Sequence, residues 1–464
     1  MFALPGVLLL VLFLLARPLD LFPALRNLPV LYLLAALALF GFFADVRLRF
    51  TELRFPRQFG WATCFMVWCL ASAAVFGFDS LQSSALTLVI AFLAYTVLAA
   101  GVRTLKSLEW IAGGLLGVAL FIGAACIHMA QQPTQCVAYR PGETRLADLG
   151  HPDGRLCEKT QECIEGGDEA NAYSCERAGW FGVTSVDRRV RHVGTLQDPN
   201  EVALFVSSTL PFAVAFYRRR RTAWRAALAA ASGLVVGATV YYTQSRSGLL
   251  VLLFVLAAVG VQRFGVRRAL RVGMLCAVPL GLLLLTLVAS LGRADAQDST
   301  DKRVVCMWSG LQMFRSSPFV GVGFDQFTNH HEQTAHNSYV LAAAELGVPG
   351  LLLWTMTFYL AFKSVAVALR LCRGPEAEAA RVWGGALVIS LLGLAVGMFF
   401  LSLTYHYVVW IFFGLAGAFA SAVRAHERRF EVPVGWRDLV LVLAGVSFVL
   451  TGVFLYTWWK LQAI

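Results

Sequence analysis

Long apolar runs recur along this chain, and they constrain its fold more than any other feature. About thirteen runs are present, most of them near the ~20 residues that cross the hydrocarbon core of a bilayer. Charged residues make up only 14% of the 464 residues, whereas soluble domains carry roughly 25%. Alternation of polar and apolar residues is absent, which disfavours a barrel. We therefore predict an all-α polytopic membrane protein with about 12–13 transmembrane helices.

The apolar runs and two long connections divide the chain into five segments. No small-residue cleavage site follows the first run, so we expect it to remain as a helix rather than to be removed as a signal peptide. Transmembrane helices are predicted over 1–128, 201–292 (with one run at 269–292) and 338–464, and long loops over 129–200 and 293–337.

The net charge of +11 follows the predicted topology. Lys and Arg cluster on alternate connections, as in the run Arg218–Arg221. The positive-inside rule assigns those connections to the cytoplasm, and both long loops then face the opposite side of the membrane. Topology accounts for most of the excess charge, so we expect membrane lipids and no nucleic acid as partners.

Cysteines cluster in the first long loop. A loop on the non-cytoplasmic side is exposed to oxidising conditions, where paired cysteines form disulfides. Zinc binding is the alternative, but the acidic, loop-like surroundings favour two disulfides, and the sequence leaves all three pairings open. The candidate residues are Cys136, Cys157, Cys163 and Cys175.

A predicted anion site lies where the first long loop ends. Asp198 suits a helix N-cap, and Pro199 suits the first helical position. The free N–H groups and positive dipole end of a helix start bind anions. A well-capped helix without a ligand is the alternative, but three arginines precede it and add positive charge: Arg188, Arg189 and Arg191, with Asn200 just inside the helix.

Two further polar stretches lie at the predicted outer edge of the membrane. Arg246 occupies a short turn between two apolar runs; it is either a snorkelling residue or a functional one. Arg303 begins the second stretch, which ends in histidines, and the spacing of those histidines fits a metal site poorly. This stretch supplies the candidates His331, His336, Asn337 and Tyr339.

The chemistry of these residues suits transfer from a lipid diphosphate without a cofactor. The sequence lacks a Walker A loop, which would indicate ATP. Its outer loops lack an Asp-x-Asp pair, which would indicate a divalent cation. Arginines can neutralise a diphosphate leaving group in place of Mg²⁺. A neutral histidine can take the proton of an attacking hydroxyl near neutral pH.

In these motifs the chain resembles the O-antigen ligase and polymerase superfamily of bacterial inner membranes. The most specific match is His336-Asn337 followed, after nine residues, by Gly347 and then Gly350. Weaker matches surround it, and together they cover about 190–350: Asp198-Pro199-Asn200 with Ala203, Ser245-Arg246-Ser247-Gly248, Arg303 with Trp308, and Pro318 with Gly321-Val-Gly323. The family pattern gives no role to the cysteine-bearing loop.

The resemblance implies a GT-C-like glycosyltransferase, a lipopolysaccharide O-antigen ligase. Such enzymes move polysaccharide from undecaprenyl diphosphate to a sugar hydroxyl of lipid A–core, on the periplasmic face and without metal. In this chain His336 would be the general base, and Arg191, Arg246 and Arg303 would bind the diphosphate. An O-antigen polymerase and a protein O-oligosaccharyltransferase are close alternatives, and a polytopic transporter, with Glu345 as its intramembrane ionisable residue, is one from another class.

Overall fold

Apolar helices dominate the fold. A computed structural model of the chain describes residues 2–25, 27–50, 52, 54–76, 84–143, 149–268, 293–372, 377–427 and 430–462. Within these residues ten helices are long and apolar enough to cross a membrane, and two shorter apolar helices accompany them. The predicted all-α polytopic membrane fold is confirmed. The predicted helix at 269–292 lies outside the described residues.

The longer helices are labelled in chain order. They are α1 Ala3–Ala16, α2 Val30–Arg47, α3 Gln58–Phe76, α4 Ser84–Gly101, α5 Leu105–Gln131, α6 Thr160–Glu165, α7 Pro199–Arg219, α8 Ala223–Thr243, α9 Arg246–Phe264, α10 Arg293–Ser316, α11 Ser338–Leu371, α12 Glu378–Gly397, α13 Tyr407–His426 and α14 Trp436–Leu461. Single helical turns occur at Pro18–Leu21, Pro23–Leu25, Trp180–Gly182, Gly194–Leu196 and Phe327–His330.

A small antiparallel sheet occupies the first predicted loop. Strands β1 Thr134–Tyr139, β2 His151–Leu156 and β3 Ala172–Arg177 pair in the order β2-β1-β3. The sequence predicted loop structure here and missed the sheet. Its strands are short, and β2 is exposed along almost its whole length, so no apolar alternation marks it.

Two disulfides supply the core of this sheet. Cys136 pairs with Cys163, and Cys157 pairs with Cys175, and the four sulfur-bearing residues pack together beside Tyr173. The sulfurs of three of them lie close enough to share a metal ion, but a disulfide leaves no thiolate to bind one. We call the segment 134–177, closed by these bonds, the cystine module.

The described chain forms two compact units. The disulfide unit comprises residues 5–40 and 109–256, and in it α7 packs against α8. The histidine unit comprises residues 1–4, 41–108 and 257–464. In that unit α4 packs against α13 and α3 packs against α11. Trp410 is fully buried in this unit, and the rings of Phe65 and Tyr95 each lie 5.7 Å from its ring.

The second predicted loop, 293–337, is largely helical. Helix α10 fills most of it and packs against the start of α11. Gly310 permits this contact, because a Cβ there would lie 2.6 Å from Cγ1 of Val340. The apolar pattern did not predict α10, since this helix is polar and is not among the ten candidate spans.

The disulfide pairing predicts a specific peptide map. Digestion of alkylated, unreduced protein with a protease that cleaves after glutamate should yield one linked peptide pair holding Cys136 with Cys163 and another holding Cys157 with Cys175. Loss of the first bond, in Cys136→Ser with Cys163→Ser, should cost the cystine module about 2–4 kcal/mol of stability. Cys64→Ser is the control, because that thiol is free and exposed. Zinc in the purified protein with four reactive thiols would contradict the pairing.

Candidate functional site

Helix α11 begins with a side-chain cap directly after His336. Asn337 is fully buried, and its Oδ1 accepts the backbone N–H groups of Tyr339 and Val340, each at 3.0 Å. Its side-chain nitrogen donates to the Phe399 carbonyl at 3.0 Å. An asparagine at this position satisfies donors that a helix start leaves unpaired. Asn337 therefore fixes the backbone that carries the histidine.

A segment following α12 binds the start of α11 through Ser338. The Ser338 N–H donates to the Met398 carbonyl at 2.8 Å. Its hydroxyl donates to the Leu401 carbonyl at 2.6 Å and accepts the Leu403 N–H at 2.8 Å. The backbone next to His336 is thus held by residues more than sixty positions further along the chain.

His336 itself has an unusual backbone. Its φ is 49°, in the left-handed region that residues other than glycine rarely adopt. Its side chain is half-buried, between the fully buried residues Ala335 and Asn337. Such conformations cost on the order of 1–3 kcal/mol and persist where the surroundings enforce them, often at functional sites. The contacts of Asn337 and Ser338 provide that enforcement here.

Arg303 lies on α10 beside the segment that leads to His336. The Cys306 sulfur lies 3.9 Å from Oε1 of Gln333. Arg303 precedes Cys306 by three residues, so both side chains lie on one face of the helix. Nδ1 of His331 accepts the Gln333 N–H at 3.2 Å. The structure therefore places Arg303 near Cys306, whose sulfur contacts the segment between His331 and His336 at Gln333.

Helix α11 is broken three turns from its start, and the segment 318–324 fills the break. Gly347 has φ 64° and ψ −166°, which ends the regular hydrogen bonding of the preceding turn. The Val322 N–H donates to the Ala344 carbonyl at 2.9 Å, and the Gly323 N–H donates to the Glu345 carbonyl at 3.0 Å. Two carbonyls next to the break thereby gain partners from outside the helix.

Two further bonds complete the break. The indole N–H of Trp68 donates to the Leu346 carbonyl at 3.0 Å. The Val348 N–H donates to the Pro318 carbonyl at 2.8 Å. The contact is so close that a Cβ on Gly347 would lie 2.5 Å from the carbonyl of Phe319. Gly347, one of the spaced glycines that the sequence singled out, is therefore required by this packing.

In the disulfide unit, Asn200 is the centre of a second polar cluster. It is buried, and its Oδ1 accepts the Arg189 guanidinium at 3.1 Å and the Ser245 hydroxyl at 2.6 Å. Its side-chain nitrogen donates to Asp198 at 2.8 Å. Asp198 also accepts the Asn200 N–H at 2.8 Å, which makes it the N-cap of α7, as the sequence predicted. This cluster joins the starts of α7 and α9.

Positive charge gathers at the Asn200 cluster. Arg246 directly follows Ser245, begins α9 and is exposed. Burial lowers the pKa of Arg189, and the charge of Arg246 lowers it further, against the opposing effect of Asp198. Two guanidinium groups near one helix start can accommodate an anion with more than one charge.

The three arginines upstream of α7 occupy three different environments. Arg188 is exposed, and Arg189 belongs to the Asn200 cluster. Arg191 is buried, and its Nε and Nη2 donate to the carbonyl and the hydroxyl of Thr184 at 2.7 and 3.2 Å. Its neighbour His192 is buried too, and burial lowers the pKa of this histidine to about 4. The sequence treated the arginines as one group; the structure separates them.

The segment that holds most of these features is similar to a known family. Residues 231–355 match the family model described as O-antigen ligase. The match covers about a quarter of the chain, and this segment is therefore similar to the O-antigen ligase family. The match includes Arg246, Arg303, His336 and the break at Gly347. No match was found among curated proteins.

Several parts of the site lie outside the O-antigen ligase family match or escaped the sequence analysis. The cystine module, Arg191 and Asp198 all precede residue 231. Thr184, the partner of Arg191, and Ser338, which joins α11 to the segment after α12, carried no recognisable motif. Both act through bonds to distant backbone. A sequence without aligned relatives does not reveal such partners.

The break in α11 predicts that Gly347→Ala is damaging. A Cβ at this positive φ is strained and collides with the Phe319 carbonyl, so we expect a loss of about 2 kcal/mol or more in the free energy of unfolding. Gly445→Ala is the matched control, because nothing lies within 4 Å of its Cβ position. Thermal unfolding in detergent measures both; equal melting temperatures would contradict the packing described.

Proposed function

We propose that this membrane protein is an O-antigen ligase. It transfers polysaccharide from undecaprenyl diphosphate to a sugar hydroxyl of lipid A–core. The observation that carries this proposal is the strained, half-buried His336 at the capped start of α11, inside the segment that matches the O-antigen ligase family. Arg303, on the neighbouring helix, adds positive charge to the same region.

In the proposed reaction His336 acts as the general base. Its neutral imidazole accepts the proton of the acceptor hydroxyl while that oxygen attacks the anomeric carbon of the donor. The bond between that carbon and the diphosphate oxygen breaks, and undecaprenyl diphosphate leaves with the bonding electrons. One displacement of this kind inverts the anomeric configuration. General base catalysis typically contributes about 10²–10⁴-fold to the rate.

Arginines stabilise the leaving diphosphate in this proposal. Arg303 of the histidine unit and Arg246 of the disulfide unit each bind phosphate oxygens, and Arg188 and Arg189 add positive charge in the segment before α7. Arg191, buried against Thr184, acts by holding the segment that carries Arg188 and Arg189. Guanidinium groups bind phosphate oxygens in bidentate fashion and need no metal ion to do so.

The proposed location follows from the charge pattern. The ten candidate spans describe a multi-pass membrane protein. The Lys and Arg clusters favour a bacterial inner membrane orientation with 129–200 and 293–337 in the periplasm. Disulfides in the first of these segments support that side, because the periplasm is oxidising.

The base assignment predicts that histidine variants lose ligation. His336→Ala and His336→Asn should both lower ligation by about 10²-fold or more. Asparagine tolerates the left-handed backbone, so its loss of activity reports chemistry rather than folding. His330→Ala is the control, since this exposed histidine lies in the same segment. The readout is the lipopolysaccharide ladder of cells whose own ligase gene is deleted.

The same ladder separates the rival functions. Loss of a ligase leaves core without polymer while carrier-linked polymer accumulates. Loss of a polymerase leaves a single repeat on the core. A normal ladder with His336→Asn present in the membrane would rule out the base assignment. Purified protein that leaves donor and acceptor chemically unchanged would favour a transporter instead.

The diphosphate assignment predicts that Arg246→Lys is also impaired. Lysine keeps the charge but loses the planar pair of donors, and removal of one such interaction costs about 2–4 kcal/mol. We expect at least about a 10-fold lower rate in a purified assay. Arg263→Lys, at the other end of α9, is the control and should behave as wild type. Full activity of Arg246→Lys would reduce Arg246 to a structural role.

A further inference from the structure

Glu345 is a buried carboxylate inside a candidate membrane span. It lies two turns after the start of α11 and is 2% exposed. Its Oε1 accepts the backbone N–H of Phe327 at 3.0 Å, and its Oε2 accepts the Tyr405 hydroxyl at 2.7 Å. Acidic groups at such depth are costly, so a carboxylate there generally serves a function through its partners.

Phe327 and Tyr405, which bond Glu345, belong to two different segments near His336. Phe327 begins the helical turn Phe327–His330, which leads directly to the histidine. Tyr405 follows the segment whose carbonyls at Phe399 and Leu401 bind the start of α11. One carboxylate thus joins the chain before the histidine to the chain that holds the residues after it.

Other bonds hold the break in α11 without this carboxylate. Val322 and Gly323 bind the carbonyls of α11 through backbone atoms alone. The Phe324 N–H donates to the Ser72 hydroxyl at 3.0 Å. The side chain of Glu345 is not a partner in these bonds; its carboxylate accepts backbone N–H groups from the chain that follows, at Asp325 and Phe327. The role of the side chain can therefore be separated from that of the helix break.

We propose that Glu345 is a positioning residue for His336, acting through Phe327 and Tyr405. It does not touch the substrate. It fixes the segment 327–336, and so the direction from which the imidazole meets the acceptor hydroxyl. This inference rests on the proposed function in one respect, namely that His336 is the reacting base.

The test compares two substitutions that keep the size of the side chain. Glu345→Leu removes both polar contacts. Glu345→Gln keeps them, because its oxygen can accept from Phe327 while its nitrogen donates to the Tyr405 oxygen. We expect Glu345→Leu to lower kcat by about 10²-fold at nearly unchanged donor KM, since small misplacement of a reacting group has that effect. Glu345→Gln should restore most of kcat.

Hydrogen exchange provides a readout that does not depend on the reaction. In Glu345→Leu the amides of 327–336 should exchange faster, while those of 350–361 in the same helix should not change. Thr357→Val is the matched control, because this buried hydroxyl donates to the Leu353 carbonyl of its own helix. Faster exchange throughout α11 would make Glu345 a general folding residue and would overturn the proposal.

Tyr405→Phe gives a second, milder variant. It removes one hydroxyl and leaves the bond to Phe327, so we expect a smaller kcat loss, on the order of 10-fold. Combined with Glu345→Leu it should add nothing, as for residues that act as one unit. Wild-type kcat in both single variants, or losses that multiply, would overturn the inference. If Glu345→Leu does not reach the membrane, Tyr405→Phe decides alone: wild-type kcat and exchange overturn the proposal.

His336→Asn in the same assay separates the two proposals. An inactive His336→Asn beside a fully active Glu345→Leu would refute the positioning role and leave the proposed function intact. An active His336→Asn would refute the base assignment, and the positioning role for catalysis would be refuted with it.

Discussion

A helix that is interrupted inside a membrane exposes carbonyl groups that lipid cannot bind, and these must find partners within the protein. The break at Gly347 meets this constraint with backbone N–H groups from Val322 and Gly323 and with the indole of Trp68. The glycine-rich segment and the broken helix therefore form one structure. It also brings the chain at Phe327 next to Glu345, and thereby settles the course of the segment that ends at His336.

Both polar clusters follow the same design, in which an amide side chain at a helix start joins distant segments. Asn337 caps α11 and bonds Phe399, while Asn200 lies at the start of α7 and bonds Ser245 at the turn before α9. One functional candidate lies next to each cluster in the sequence: His336 directly precedes Asn337, and Arg246 directly follows Ser245. The amides position the backbone that carries these candidates.

Hydropathy and motifs predicted much of this structure, for identifiable reasons. Apolar runs near the thickness of a bilayer leave little choice but helices, and Asp198 and Pro199 marked the start of α7. The sheet of the cystine module escaped because its core is sulfur rather than alternating apolar side chains. Arg191 was grouped with its neighbours because sequence distance is short, although its partner Thr184 lies buried beside it in the fold. The role of Glu345 required two partners that no spacing reveals.

The disulfide pattern has a consequence for how the protein matures. The two bonds interlace, since Cys157 lies between Cys136 and Cys163, while Cys163 lies between Cys157 and Cys175. Cysteines that oxidised in the order of their synthesis would join neighbours and give neither bond. The folded module brings the correct partners together, since β1 carries Cys136, α6 carries Cys163 and β3 carries Cys175. We therefore expect the final oxidation during biogenesis to follow assembly of the module.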